Sequence, residues 1–511
     1  MAKFKIYHLH NVTRGRAPVL HLTSSDLNQT KMQSVVIPVC EDSDIHDAPA
    51  ILNLISNARK YQEFTGKKDQ ELIIYDPPDT HFDRIILTGL GKLKQINPDT
   101  LRSITGKAVK KFIQKQISQT LIIVPDETLI HIDTSLLLEA MLEGAFLGNQ
   151  LFDLYKTTKK YSPLQSIHFW MKPELVKKYR RLPLKVESVC QCTALARQWV
   201  STPSNHKRPS DFTKAMVSAA GTEPISVTVL DEAQLNDKGF GAILAVSAGS
   251  QSPPNMLVLD YNPEGAGQTI ALVGKGVTFD SGGINLKPAA SLEDMKMDMA
   301  GAATVAAAVI AASRLKYPNR IIGIMPVVEN MPSANATRPG DIIRTYEGKT
   351  VEIGNTDAEG RLILIDAMAY AVKLYTPDIL IDVATLTGAC VVALGEKIAG
   401  VFSFDDELAE ALIRSGEKTH ERCWRMPLPE DYKELLKSEF ADISNISSSK
   451  WGGAITAALF LSEFVGDTRW AHMDIAGPAY VKKETDYCGA GGTGFGVRLL
   501  CDLLEKLPSA H

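Results

Sequence analysis

Three runs in the second half of the chain, TIALVGK (269–275), NRIIGIMPVVENM (319–331) and DILIDVATLTGA (378–389), are apolar almost without a break. A strand with one face in water alternates polar with apolar side chains, so strands that do not alternate must be covered on both faces. Helical runs lie among them, MAGAATVAAAVIAAS (299–313) and LILIDAMAYAVKL (362–374), while SVTVLDEAQLNDKG (226–239), GAILAVSAGS (241–250) and NMLVLDYN (255–262) read as further members of the strand series. Such alternation gives a doubly wound sheet with helices on both faces.

The first part of the chain repeats the pattern with QSVVIPVC (33–40), a helical stretch near 49–62, ELIIYD (71–76), DRIILTGLG (83–91), TLRSITGKAVKKFIQK (100–115), QTLIIVPD (119–126) and a long helix around 134–156. The expected fold class is α/β with two domains, each a mostly parallel or mixed sheet flanked by helices. An N-terminal domain is expected over 1–165, a linker with a connecting helix over 166–200, and a larger C-terminal domain over 201–511. TPSNHKRPSDF (202–212) reads as a loop rich in Pro, Ser and Asn that opens the next helix.

A chain of 511 residues, 45% apolar and 22% charged, has room for two such cores. Its net charge of −4 and pI near 6.3 give no footprint for nucleic acid or an anionic membrane, KKYRR (177–181) being a local exception. The apolar run 299–313 is too short and too alanine-rich to span a bilayer. The start, MAKFKIYHLHNVTRGR, lacks the apolar centre of a secretory signal. Seven scattered cysteines (Cys40, Cys190, Cys192, Cys390, Cys423, Cys488, Cys501) with no CxxC read as reduced thiols and a cytoplasmic protein. GLGK (89–92) lacks the spacing of a phosphate loop and reads as a turn after a strand.

The chemistry concentrates in NTDAEGR (355–361), between a short strand TVEIG (350–354) and the helical run 362–374. Loops that leave a strand's carboxyl end and enter a helix are where open α/β sheets put their ligands. Asp357 and Glu359 are two apart, so in extended backbone both carboxylates face one way. Arg361 can pair with one of them; a divalent metal satisfies both. Upstream, KGVTFDSGGINLK supplies Lys275, Asp280 and Lys287, and EDMKMDM places Asp298 at the start of the alanine-rich helix, where its bland role is the N-cap. Asp280, Asp298, Asp357 and Glu359 together are four carboxylates that this topology brings to one sheet edge, a charge that two divalent cations balance. Oxygen ligands with at most a nitrogen suit Zn²⁺, Mn²⁺ or Mg²⁺, and two such ions sharing a water make hydroxide near neutral pH.

VGKGVTFDSGGINLK, the segment ending in Asp298, and NTDAEGRLIL resemble the leucine aminopeptidase (cytosol aminopeptidase) family of dinuclear metallopeptidases. The likeness runs over about 200–500 and includes ENMPSANATRPGD (329–341), ATLTGA (384–389), WAHMDIAGPA (470–479) and TGFGVRLL (493–500). The resemblance implies a catalytic C-terminal domain that hydrolyses the N-terminal residue, leucine-like or otherwise apolar, from peptides. It implies one ion on Lys275, Asp280, Asp298 and Glu359, and a more exchangeable one on Asp280, Asp357 (side chain and main-chain carbonyl) and Glu359. Lys275 must then be neutral, which two adjacent dications would bring about.

By the same resemblance the substrate's free amine takes one metal, its scissile carbonyl the other, and Lys287 polarises that carbonyl. Arg361 is implied to hold a bicarbonate that relays protons, assisted by main chain at Gly360 and Leu386. Met295, Thr385, Gly388, Ala476 and Ala479 are implied to line the pocket for the first side chain, and the assembly is implied to be a homohexamer. Two other readings compete. One is an additional or primary DNA-binding regulatory role, which the acidic balance disfavours; the other is a two-metal phosphoesterase, which wants histidine ligands where none of the eleven histidines falls in the motifs.

Overall fold

The computed structural model describes residues 18–508, apart from 28, 61, 62 and 79, so the opening segment expected to lack a secretory signal lies outside the described residues. The chain forms two compact units, 18–191 together with 483–490, and 192–482 together with 491–508.

Among the described residues of the first unit the strands are β1 (Val19–Thr23), β2 (Val35–Cys40), β3 (Glu71–Tyr75), β4 (Arg84–Gly91), β5 (Gln119–Ile123) and β6 (Ser166–Trp170). They form one sheet in the order β1-β6-β5-β2-β4-β3, parallel except for the β3–β4 pair. Residues 166–170 therefore belong to this sheet, although the sequence places them in a linker; β6 pairs on both sides, with β1 and β5. The rest of that stretch forms the helices Pro173–Tyr179 and Leu182–Ser201, the second with Pro183 in its first turn, where a missing N–H costs nothing. The helix expected around 134–156 stops at Gly148, because the buried Asn149 side chain bonds both the N–H and the carbonyl of Leu164 and turns the chain away.

The second unit is built on the strands β7 (Ser226–Leu230), β8 (Asn255–Tyr261), β9 (Thr269–Gly274), β10 (Gly276–Asp280), β11 (Arg320–Asn330), β12 (Ile342–Arg344), β13 (Thr350–Glu352), β14 (Ile379–Ala384), β15 (Ala399–Phe402), β16 (Cys423–Arg425), β17 (Ile443–Ser444), β18 (Arg469–Asp474), β19 (Tyr480–Val481) and β20 (Gly491–Gly492). The large sheet runs β16-β15-β18-β14-β9-β11-β8-β7, with β10 paired to β11 beside it. Its centre, β18, β14, β9 and β11, is parallel, and β8, β7 and β15 join it antiparallel. The helix Ala300–Leu315 lies against this centre, buried through its first fourteen residues. Gly301 makes that approach possible, since a Cβ there would sit 2.0 Å from the Val383 carbonyl oxygen. The segment Met295–Leu315 is apolar and long enough to cross a membrane by composition, but it is mostly buried in this core.

Two expectations change here. GAILAVSAGS, read as a strand, is the helix Gly241–Ser247. Short apolar runs fit either state, and tertiary context decides: Asp366 Oδ2 accepts the Ala242 and Ile243 N–H groups at 2.9 and 3.0 Å, capping that helix from outside, while Oδ1 accepts Tyr346 N–H at 2.8 Å. The strand before NTDAEGR is β13, which belongs to a separate small sheet, β12-β13-β17, rather than to the large one.

Asp366 is fully buried and satisfies three backbone donors, so Asp366→Ala is expected to destabilise the protein by ~3 kcal/mol or more, read from urea unfolding, with Asp366→Asn costing less. Equal stability of the alanine variant would show that the cap carries no load.

Candidate metal centre

The carboxyl ends of the parallel strands supply the scaffold. Lys275 follows β9, its N–H bonded to the Val383 carbonyl at 3.1 Å and its carbonyl accepting Ala302 N–H at 2.8 Å, so its backbone is fixed between β14 and the alanine-rich helix. Asp280 ends β10. Asp298 sits between the turn Met295–Met297 and the helix Ala300–Leu315, and it does not act as an N-cap: Met299 holds that position and no side chain caps the helix. Asp357 lies in a turn and Glu359 opens the helix Glu359–Tyr375, so the two carboxylates converge through a turn and a helix start rather than through extended backbone.

Lys275 is 3% exposed. Its Nζ contacts Asp298 Oδ1 at 2.8 Å, Glu359 Oε1 at 2.9 Å and the Thr385 carbonyl at 2.8 Å. Gly360 admits this side chain, since a Cβ at 360 would lie 2.6 Å from Lys275 Cε and 2.7 Å from its Nζ. Lys287 Nζ bridges the other side, 2.8 Å from Asp280 Oδ2 and in contact with Asp357 Oδ1. Asp280 Oδ1 accepts Gly282 N–H at 2.9 Å and Asn330 Nδ2–H at 2.8 Å, which orients that carboxylate.

The set is built for cations. Asp280, Asp357 and Glu359 each bring a carboxylate oxygen to within 4.8 Å of the others, and Asp298 Oδ2 is buried without a hydrogen-bond partner. A buried anionic oxygen left unpaired is costly, whereas an oxygen-rich cluster of this kind matches a hard or borderline dication. Burial and mutual repulsion push Asp280, Asp298 and Asp357 above the usual carboxylate range. Burial pulls the Lys275 ammonium down, but Asp298, Glu359 and Asp280 outweigh it and hold its pKa above the ordinary lysine value. Without a cation the cluster thus keeps protons that ligation must remove.

Arg361 stands apart from these pairs. Among the described residues it forms no ion pair; one terminal N–H donates to the Asn445 carbonyl at 2.7 Å, and Nε is buried without a partner. Burial pulls it down to about 10, against Glu359 and Asp474, so it stays charged at neutral pH.

Residues 194–501 match the model of the catalytic domain of the cytosol aminopeptidase family, and 36–159 match that of its N-terminal domain. The chain belongs to the cytosol aminopeptidase family. A "probable cytosol aminopeptidase" of Chlorobium phaeobacteroides is 40% identical over 501 residues, covering 95% of this chain and 99% of that one. Among solved structures, a mutant of tomato leucine aminopeptidase superposes with TM-score 0.85 at 32% identity, over 97% of this chain and 98% of that one. The bottromycin maturation enzyme BotP in complex with Mn gives TM-score 0.82 at 33% identity, over 93% of this chain and 99% of that one. The protein is thus a metallo-aminopeptidase with a divalent metal cofactor.

The other residues singled out in the sequence are spread along the same edge. Thr385, expected in the substrate pocket, is turned inward: its hydroxyl donates to Asp298 Oδ1 at 2.7 Å. Leu386 N–H donates to Asp474 Oδ1 at 3.2 Å, and Thr387 Oγ donates to Asp474 Oδ2 at 2.7 Å. Ala476 N–H reaches the same carboxylate at 3.1 Å, while Ala479 is 2% exposed, Met295 half-buried and Gly388 in solvent.

Sequence reasoning missed Asn330, which orients Asp280, and Asn445, whose side chain bonds Gly354 N–H, Asn355 N–H and the Asn355 carbonyl. It also missed Asp474, which ties the loop after β14 to the loop after β18. A charged residue ending a buried apolar strand, as in WAHMD, was the available signal.

Because ligation must displace protons from groups held above their usual values, Mn²⁺ affinity is expected to rise with pH from about 5 to about 8. Calorimetry in buffers of different ionisation enthalpy should register the released protons; a pH-independent affinity contradicts this picture of the cluster.

Proposed function

We propose that the chain removes a leucine-like or other apolar N-terminal residue from peptides at a two-ion centre of Mn²⁺ or Zn²⁺. The observation that carries this is the convergence of Asp280, Asp357 and Glu359 on one point beside the unpartnered Asp298 Oδ2. Lys275, Asp280, Asp298 and Glu359 would hold one ion; Asp280, Asp357 with its main-chain carbonyl, and Glu359 the other. When bound, such ions supply Lewis acidity for a water, for the peptide's free α-amine and for its scissile carbonyl.

The chain's own groups supply the rest. The Lys287 side chain is 16% exposed against 3% for Lys275, so it is the cation open to substrate, and it donates to the carbonyl oxygen as charge develops there. Burial lowers its pKa but Asp280 and Glu359 raise it further, which keeps that donor protonated. Arg361, buried and free of carboxylate partners among the described residues, would hold a bicarbonate with main chain at Gly360 and Leu386, the anion supplying a proton acceptor. The Leu386 N–H is shared with Asp474, so that contact is weaker than those of the guanidinium. Met295, Thr385, Gly388, Ala476 and Ala479 would bound the pocket, with the small residues among them leaving room for an apolar side chain.

A cytoplasmic location is supported by seven cysteines that are all buried thiols. A homohexamer is supported by large apolar side chains left in solvent, Val392 at 89%, Phe440 at 79% and Trp451 at 72% exposure.

Lys287→Ala is expected to lower kcat by a factor of ~100 or more with unchanged bound metal, as for loss of an oxyanion partner; metal analysis beside leucyl-anilide kinetics checks both halves. N-acetylated peptides should resist cleavage because a blocked amine cannot act as a ligand, and appreciable turnover of one would remove that step. Light scattering should return six times the 55.8 kDa chain mass, and a monomer would end the hexamer reading.

A further inference from the structure

The loop 202–208 joins the helix Leu182–Ser201 to the helix Pro209–Ala220, and its sequence suggested nothing beyond a connection. In the structure it grips two other segments. Ser204, in a single 3-10 turn (Ser204–His206), donates its hydroxyl to the Thr278 carbonyl at 2.8 Å. Thr278 lies two residues before Asp280, at the point where the β10–β11 register is interrupted between Val277 and Asp280. The Ser204 hydroxyl therefore ties down the strand where its ladder is irregular.

Lys207 grips the second segment. Its side chain is 0% exposed, and Nζ lies 2.7 Å from the Lys296 carbonyl, 2.8 Å from that of Trp199, 3.2 Å from that of Val200 and 3.2 Å from Met299 Sδ. Lys296 is two residues before Asp298. Trp199 and Val200 carry two of the last carbonyls of the helix Leu182–Ser201, of which the Trp199 carbonyl also accepts the Thr202 N–H at 3.3 Å. Burial, with the Lys296 ammonium nearby, pulls the Lys207 pKa well below the usual lysine value. Protonated or neutral, Nζ still carries an N–H for the Lys296 carbonyl. This helix end is buried, with Trp199 and Thr202 at 0% exposure, so water cannot serve its carbonyls, and the amine that does so also reaches the Lys296 carbonyl. What the amine achieves is to fasten a helix end to the short turn that delivers Asp298.

We infer that Lys207 and Ser204 are positioning residues of the metal centre: they fix the backbone at Lys296 and Thr278, and through it the Asp298 and Asp280 carboxylates, without touching ion or substrate. The inference rests on the two-ion reading above. The two grips differ in reach. Lys207 serves Asp298, a ligand of one ion only, whereas Ser204 serves Asp280, which both ions share.

The test titrates Mn²⁺ alone into the metal-stripped full-length protein by calorimetry, with thermal unfolding of the metal-free form alongside, for Lys207→Met, Ser204→Ala and Asp298→Asn. Lys207→Met is expected to weaken the ion that uses Lys275 and Asp298 by ~10-fold or more and the other by less than ~3-fold, while Ser204→Ala weakens both by ~3-fold, in line with losses seen when groups that orient ligands are removed. An equal loss at both ions in Lys207→Met, together with a lower metal-free Tm, marks a merely structural lysine and overturns the inference. If Lys207→Met does not fold, Ser204→Ala decides, and unchanged affinities there overturn it. If Asp298→Asn loses the tighter ion while both loop variants bind as the parent does, the clamp falls and the metal centre stands. If Asp298→Asn also binds as the parent does, the two-ion reading falls and takes the inference with it.

Discussion

Four carboxylates within reach of one another under a protein surface are the constraint that the catalytic unit is arranged to satisfy. Like charges at such distances repel strongly in a medium that screens them poorly. Lys275 and Lys287 offset part of that repulsion, each contacting two of the four, and leave Asp298 Oδ2 with nothing to bind. The excess negative charge that remains, four carboxylates against two ammonium groups, has the magnitude of one divalent ion. The cluster is therefore a poor stabilising element and a good cation host, the pattern expected where function rather than stability sets the local composition.

Bringing these groups together requires backbone to come unusually close to backbone. Gly301 lets the alanine-rich helix press on β14, which fixes the strand end carrying Thr385, and Gly360 gives the Lys275 side chain its place beside Glu359. Neither position tolerates a methyl without displacing a ligand or its support. The small residues of the helix Ala300–Leu315 thus serve the site through close packing, although none of them touches a reacting group.

Behind the carboxylates lies a second layer of buried charge on β14 and β18. His472 Nδ1 donates to Asp382 Oδ1 at 2.6 Å, Trp470 Nε1 donates to Asp382 Oδ2 at 2.8 Å, and Asp474 gathers Leu386, Thr387 and Ala476. Burial opposes charge on His472, but Asp382 outweighs it and holds the imidazole above its usual pKa. In a low-dielectric interior such bonds are strong and directional, so this layer fixes the geometry of the loops that follow β14 and β18.

By itself the sequence determined the fold class and singled out the candidate ligands. Unbroken apolar strands alternating with helices can only be covered on both faces, and Lys275, Asp280, Asp298, Asp357, Glu359, Lys287 and Arg361 stand in short motifs whose spacing is local information. What it did not determine were features set by partners distant in the chain. The segment 241–247 is helical because Asp366 caps it from more than a hundred residues away, and the strand 166–170 belongs to the first unit's sheet rather than to a linker because β1 and β5 flank it. Asp298 is turned from a helix cap into a cluster member by Lys275 and Thr385, and an undistinguished loop at 202–208 acquires its contacts from β10 and the turn before Asp298. Periodicity and motif spacing are written along the chain; the hydrogen bonds and ion pairs that choose among their outcomes form only when the chain has folded back on itself.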